Sequence, residues 1–193
     1  GPLTPDQVRS TPTTFGFIIR PAVKSELPNL VKVSATGRKM VKDIMQQMKQ
    51  NQQNTGLQIV FASSQEPDEG DAAYLVDGDP STIWHTMYSI TLAKYPHWVD
   101  FDAGKQKVIK GFTYLARQDG SLNGCIKDYE IYVSNDNKTW GEPVAKGSFE
   151  KTAKLQKVMF GKPVKARYVR LRALNEQSGQ DYASGAEFTL VTE

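Results

Sequence analysis

Two kinds of hydrophobic spacing divide the chain near residue 55. Before it, ATGRKMVKDIMQQMKQ (35–50) sets Met40, Val41, Ile44, Met45 and Met48 three and four positions apart, which predicts one apolar helix face opposite lysines and glutamines. NQQNTG (51–56) reads as the helix stop and a linker, with Gly56 as its end signal. Upstream, GFIIR (16–20) and LVKVS (30–34) read as short strands, and residues 1–14 as a Pro- and Thr-rich extended lead. The Met-rich face is expected to pack on a neighbouring domain. After residue 56 the period falls to two. LQIVFAS, HWVDFDAG, VIKGFTYLAR, KDYEIYVSN, PVAKGSF, LQKVMFG, RYVRLRAL and AEFTLVT have the length of strands. Ile131 and Val133 alternate with Tyr132, and Val99 and Phe101 with Asp100 and Asp102. Turn formers such as NDNKT and GKP separate the runs. No helical period intervenes, so a βαβ architecture is excluded and an all-β sandwich is expected over residues 56–193. The chain thus reads as an N-terminal segment, 1–55, with one amphipathic helix, followed by a β module.

Composition changes little in this picture. Of 193 residues, 39% are hydrophobic and 23% charged, the balance of a soluble globular protein. No apolar run approaches the roughly 18 residues that a membrane-spanning helix needs. Gly1-Pro2 looks like the scar of a removed tag, which makes the chain a piece of something larger. The formal net charge of +3 is too small to point to nucleic acid. Basic residues do cluster between Lys151 and Arg172, with no acid among them. No aromatic stacking motif interleaves with them, so a solvated outer strand face is expected, with Val169 and Leu171 turned inward. Cys125 is the single cysteine, which excludes an internal disulfide. Asn137-Lys138-Thr139 forms a glycosylation-type triplet in a turn, a pattern that is common by chance.

Signatures of catalysis are absent. The chain has no HExxH, GxSxG, Walker A or dinucleotide glycine pattern, and no Cys or His pairs at zinc spacing. The stretch DGDPSTIWHT (77–86) draws attention instead. Asp77, Asp79 and Thr82 place oxygens at short spacing on Gly and Pro turns, which suits a hard cation such as calcium. Three side chains under-supply such an ion, and a plain turn that delivers Trp84 to the core explains the stretch equally well.

The module resembles the coagulation factor V/VIII type C, or discoidin, domain and its bacterial relatives, the family 32 carbohydrate-binding modules. The resemblance runs in order through ASSQE, AAYLVDGDPSTIWHT, PHWVDFDAG, VIKGFTYLARQDGSLNG, IKDYEIYVSNDNKTWG, KARYVRLRALN and YASGAEFTLV. It implies an eight-stranded jelly-roll β-sandwich of the galactose-binding-like kind, with Trp84 and Trp98 in the core. It implies a structural calcium held by Asp77, Asp79, Thr82 and Glu187, with carbonyls near Leu75, Asp77 and Ala186. It also implies a sugar site at His85, Arg117, Asn123 and Tyr182: Tyr182 stacks on the ring, Arg117 and Asn123 grip hydroxyls, and His85 meets an axial hydroxyl of a galacto-configured sugar. Each of these has a structural alternative, such as Arg117 paired with Asp119 or Asn123 stabilising the turn before Gly124. Cys125 stands where a polar or basic residue is expected, and the lack of the disulfide of many animal members favours the bacterial branch. Polar loops at 119–124 and 176–182 argue against membrane insertion.

The expected function is that of a non-catalytic, monomeric carbohydrate-binding module. It would bind no nucleic acid and target an attached, exported bacterial glycan-degrading enzyme to galacto-configured glycans. Periplasm, cell surface and medium all fit that export. The alternative is a structural sandwich that packs on its catalytic neighbour without binding sugar.

Overall fold

A computed structural model describes residues 56–193. The strands expected at 16–20 and 30–34, the Met-faced helix, the linker and so the whole segment 1–55 lie outside the described residues. The described part is almost entirely antiparallel β. The strands are β1 (Gln58–Ala62), β2 (Trp84–His85), β3 (His97–Leu115), β4 (Asp128–Ser134), β5 (Ala145–Ser148), β6 (Gln156–Ala173), β7 (Ser184–Gly185) and β8 (Glu187–Thr192). The main sheet runs β1-β3-β6-β4-β5, with β8 added on β3, while β2 and β7 form a separate two-residue ladder.

The strand count matches the expected eight, but the partition differs. HWVDFDAG and VIKGFTYLAR fuse into β3, and LQKVMFG and RYVRLRAL fuse into β6. Both long strands bend where their register slips, between Asp102 and Lys107 and again between Ile109 and Gly111. Such slips bend and twist a strand pair without ending it. One end of β3 pairs with β1 and the last third of β6, while its other end pairs with the start of β6 and with β8. A bent ribbon therefore serves both layers of the sandwich. The tiny β2 and β7, too short for any periodicity to reveal, make up the number.

At the second slip the backbones nearly touch. A Cβ at Gly111 would sit 2.1 Å from the carbonyl oxygen of Val158, so only glycine fits there. Inside, the alternating residues meet as expected. Phe112 of β3 faces Tyr129 of β4 edge-on at 5.5 Å and stacks on Phe188 of β8 at 5.4 Å. Tyr114 and Tyr129 both stack on Phe149, at 4.4 and 4.2 Å. Val169 and Leu171 are buried, as is Trp84, whose Nε1 donates to the Ser64 carbonyl at 3.0 Å.

The outer face of the β3–β6–β4 region corrects two expectations. The arginines of the basic run are paired rather than simply solvated. Arg167 grips Asp102 in a two-pronged contact at 2.8 and 2.7 Å, and Arg170 grips Asp100 at 2.6 and 2.8 Å. Arg172 reaches Glu130 at 3.1 Å. Asp100 is only 3% exposed, so its charge depends on the guanidinium that covers it. Trp98, expected in the core, is half-buried on this outer face, stacked on Phe61 at 6.0 Å and beside Arg170. Its position follows from strand alternation: Val99 and Phe101 take the inward places.

Gly111→Ala tests the crossing of β3 and β6. The new methyl must push Val158 aside, and a cost of about 1–3 kcal/mol is expected from overpacking. Thermal unfolding should show a Tm lowered by several degrees; an unchanged Tm would contradict the close approach.

Candidate functional site

The site is assembled around the β2–β7 ladder. Trp84 pairs with Gly185 and His85 with Ser184, joining positions about a hundred residues apart. Thr86 extends the join: its amide donates to the Ala183 carbonyl at 2.9 Å, and its Oγ1 accepts from the Ala183 amide at 2.9 Å. Loop 117–124 is tied to the same place. The Ser184 amide donates to the Gly124 carbonyl at 2.8 Å, and the Ser184 hydroxyl to the Asn123 carbonyl at 2.7 Å. Gly124 has φ +74, and a Cβ there would meet Ser184 Oγ at 2.9 Å, which explains the Asn-Gly step. Cys125 is fully buried.

These joins create a cavity of about 400 Å³. His85, Arg117, Asn123 and Tyr182 all line it. The sequence-expected set is thereby brought to one place from three separate segments, strand β2 and two loops. Ile83, Tyr88, Glu69 and Asp119 complete the wall.

Three rings form one side. The His85 ring lies 5.4 Å from Tyr182 and meets Tyr88 edge-on at 5.1 Å. His85 Nδ1 lies 2.7 Å from the Thr86 carbonyl oxygen. A carbonyl only accepts, so Nδ1 carries the proton and, in the neutral ring, Nε2 is left as an acceptor. Burial pushes this imidazole below its ordinary value, with the Arg117 charge adding to it against the opposing pull of the Thr86 carbonyl. Opposite stands Arg117, whose Nε donates to Asp119 at 2.9 Å while Nη2 bonds the other carboxylate oxygen. That pair holds the Asp119 carboxyl below the usual range. Nη1 reaches the Asn123 carbonyl at 3.4 Å. The expected alternative pairing of Arg117 with Asp119 thus exists and fixes the guanidinium at the cavity wall. At the rim the Tyr88 hydroxyl donates to Glu69.

Tyr88 and Glu69 were missed by sequence reasoning. Tyr88 follows His85 by three residues and is 44% exposed, and its contacts with the His85 and Tyr182 rings form only in the folded chain. Glu69 sits in the EPDEG turn, where nothing in the sequence distinguishes it from a solvated acid. Glu66, just before it, is buried and accepts from the amides of Tyr88 at 2.6 Å and Ser89 at 3.0 Å, which holds the Tyr88 loop in place.

The second set expected from sequence lies at the other end of the same ladder. Thr82 Oγ1 is 2.8 Å from Asp77 Oδ2 and 2.9 Å from the Asp79 carbonyl oxygen. Asp77 Oδ1 accepts the Asp79 amide at 2.8 Å. The Asp79 carboxylate turns onto its own loop and accepts from the Ser81 amide at 2.9 Å and hydroxyl at 2.6 Å. Glu187 joins Asp77 from the start of β8, and its Oε1 is buried without a hydrogen-bond partner among the described residues. Burial, and then the neighbouring Asp77 charge, pushes the Glu187 carboxyl up to about 8. Among the described residues no three His, Cys, Asp or Glu side chains gather as a metal cluster. A cation here would therefore rest on two carboxylates, a hydroxyl and carbonyls, an all-oxygen set that suits calcium. The orphaned, electrostatically strained Glu187 oxygen fits that group.

Comparison with known proteins agrees with this architecture. Over 122 residues the chain is 44% identical to a sialidase of Micromonospora viridifaciens, covering 62% of this chain and 18% of that protein. Over 116 residues it is 39% identical to a galactose oxidase of Gibberella zeae, covering 60% of this chain and 17% of the oxidase. The chain spans less than a fifth of either relative. Among solved structures it is similar to a family 32 carbohydrate-binding module from Clostridium perfringens in complex with GalNAc-β-1,3-galactose: TM-score 0.64, 33% identity, 70% of this chain and 94% of that one. It is also similar to the family 32 module of the C. perfringens protein NanJ, solved with galactose: TM-score 0.61, 27% identity, 70% of this chain and 93% of that one. With the F5/8 type C domain pattern matching residues 60–188, the chain belongs to the F5/8 type C domain family.

Proposed function

We propose that this chain is a non-catalytic carbohydrate-binding module for galacto-configured glycans, carried by a larger, exported bacterial glycan-degrading enzyme. The observation that carries this reading is the convergence of His85, Arg117, Asn123, Tyr88 and Tyr182 on one cavity. The galactose-bearing ligands of its structural relatives support it. A pyranose offers an apolar C–H face and hydroxyls that both donate and accept. Tyr182 or Tyr88 supplies the face contact. His85 Nε2 accepts a hydroxyl proton, Arg117 and the Asn123 amide donate to hydroxyl oxygens, and Glu69 accepts at the rim. Binding is weak at one site, and its use is to raise the enzyme's local concentration on a polymer that repeats the epitope.

We further propose a structural calcium held by Asp77, Thr82, Glu187 and nearby carbonyls. When bound, the ion neutralises the carboxylates that otherwise repel one another where the loop meets β8. Asp79 contributes its carbonyl side, since its carboxylate serves Ser81.

Titration calorimetry with galactose and N-acetylgalactosamine should show saturable binding. Arg117→Ala should weaken it by roughly ten- to a hundredfold, the range for a charged hydrogen bond. No binding across a broad glycan panel would instead favour the structural sandwich that packs on its neighbour.

Because the His85 imidazole is held below its ordinary 6.5, it stays neutral above that pH. Galactose affinity should therefore be flat above pH 6.5 and fall only on further acidification, as Nε2 gains a proton and stops accepting. A mid-point above 6.5 would contradict the buried, Thr86-bonded ring.

The calcium reading has a separate readout in thermal unfolding. Glu187 in the cation-free fold sits at about 8 against an ordinary 4.5. A raised carboxyl stabilises the fold below the ordinary value, and that contribution is lost as pH rises through the folded one. Chelated protein should thus lose Tm between those two values, and calcium should restore it. Glu187→Gln should abolish both the pH slope and the calcium response; a calcium response that survives it would place the ion elsewhere.

A further inference from the structure

Tyr182 is the ring that the cavity presents beside His85, yet it stands on a loop rather than on a strand. Its placement comes from side chains of a different segment. Tyr95 donates its hydroxyl to the Tyr182 carbonyl. His97 Nε2 lies 2.7 Å from the Asp181 carbonyl oxygen, which makes that nitrogen the protonated donor. Thr86 Oγ1 accepts the Ala183 amide at 2.9 Å. Both peptide groups flanking the Tyr182 Cα are therefore held. The direction of its Cα–Cβ bond is set, and only side-chain rotation remains free.

Tyr95 and His97 brace each other, with ring centroids 4.5 Å apart, and His97 is 1% exposed. Neither residue lines the cavity. Between them and the preceding Lys94, which pairs with the Asp181 carboxylate at 2.5 Å, three residues of one short segment grip the Tyr182 loop. The lysine pair is exposed on both sides and adds little. The Tyr95 and His97 hydrogen bonds are part-buried and so carry more of the restraint.

We infer that Tyr95 and His97 are positioning residues of the sugar site: they aim the Tyr182 ring at the ligand without touching it. This inference rests on the sugar-binding reading for its consequence, but its geometry is measurable without any sugar. An unrestrained Tyr182 would have to be ordered at each binding event, and that entropy would be taken from the affinity.

The test uses Tyr95→Phe, which removes one hydroxyl and keeps the ring. In ligand-free protein, NMR of the His85 ring protons reports the Tyr182 ring current. Those signals should move in Tyr95→Phe toward their positions in Tyr182→Ala. Galactose affinity should fall by about three- to tenfold, the worth of one hydrogen bond. Unmoved His85 signals would overturn the inference, as would shifted signals with unchanged affinity. If wild-type protein bound no sugar, the functional reading would fall and the His85 signals alone would decide the clamp. His97 is tested by a pair of variants. His97→Gln keeps an N–H donor and should retain more affinity than His97→Leu; equal losses in the two would remove His97 from the clamp.

Discussion

Four backbone positions, Trp84 and His85 opposite Gly185 and Ser184, tie the two ends of the module together, and both candidate sites hang from that tie. One residue beyond it on the cavity side lie Thr86 and Ala183, whose mutual hydrogen bonds set the Tyr182 loop against His85. On the other side, a few residues out, lie Asp77 and Thr82 on one chain segment and Glu187 on the other. A two-residue ladder has little stability of its own. It persists because Trp84 is buried beneath it and because loop 117–124 is bonded to Ser184 from above. The orphaned Glu187 oxygen is the weak point of this arrangement, and a cation bound there would strengthen the ladder from the end farther from the cavity.

The rest of the sandwich supplies rigidity through one bent ribbon. Because β3 and β6 each serve both layers, the two sheets share their covalent framework as well as their core. The aromatic cluster around Phe112, Phe149 and Phe188 fills the space between the layers. On the outside, the aspartates of β3 and the arginines of β6 neutralise each other in two-pronged pairs. A run of basic residues that resembles a polyanion stripe in sequence thereby has its arginine part engaged by acids 42 to 70 residues away.

The cavity sets Arg117, Asn123 and Glu69 beside the rings of His85, Tyr88 and Tyr182. Its arginine is already half-satisfied by Asp119, so the guanidinium is held in orientation before any ligand arrives. Its histidine has its tautomer set by a backbone carbonyl. On the proposed sugar-binding function, such preorganisation would suit a ligand that is a small part of a large polymer, where little binding energy is available for ordering loops.

How much of the fold and the cavity is legible in the sequence depends on the range of the interaction. Alternating apolar positions point to the sandwich, because strand burial is a local, period-two property that each segment carries by itself. The ordered motifs point to His85, Arg117, Asn123 and Tyr182, and the structure gathers them. Strand boundaries are not legible: the fusion of four runs into β3 and β6 depends on register slips, which are set by the partner strand. Trp98 is misplaced for a similar reason, since a tryptophan covered by Phe61 and Arg170 looks in sequence like a core residue. Tyr88, Glu69 and the clamp of Tyr95 and His97 escape entirely. Their roles depend on carbonyls and rings supplied by loops far along the chain. Local patterning and motif order thus carry the architecture and most of the chemistry of the cavity. Which rings face it, and what holds them there, is decided by tertiary contacts, because those contacts join segments with no local signal of each other.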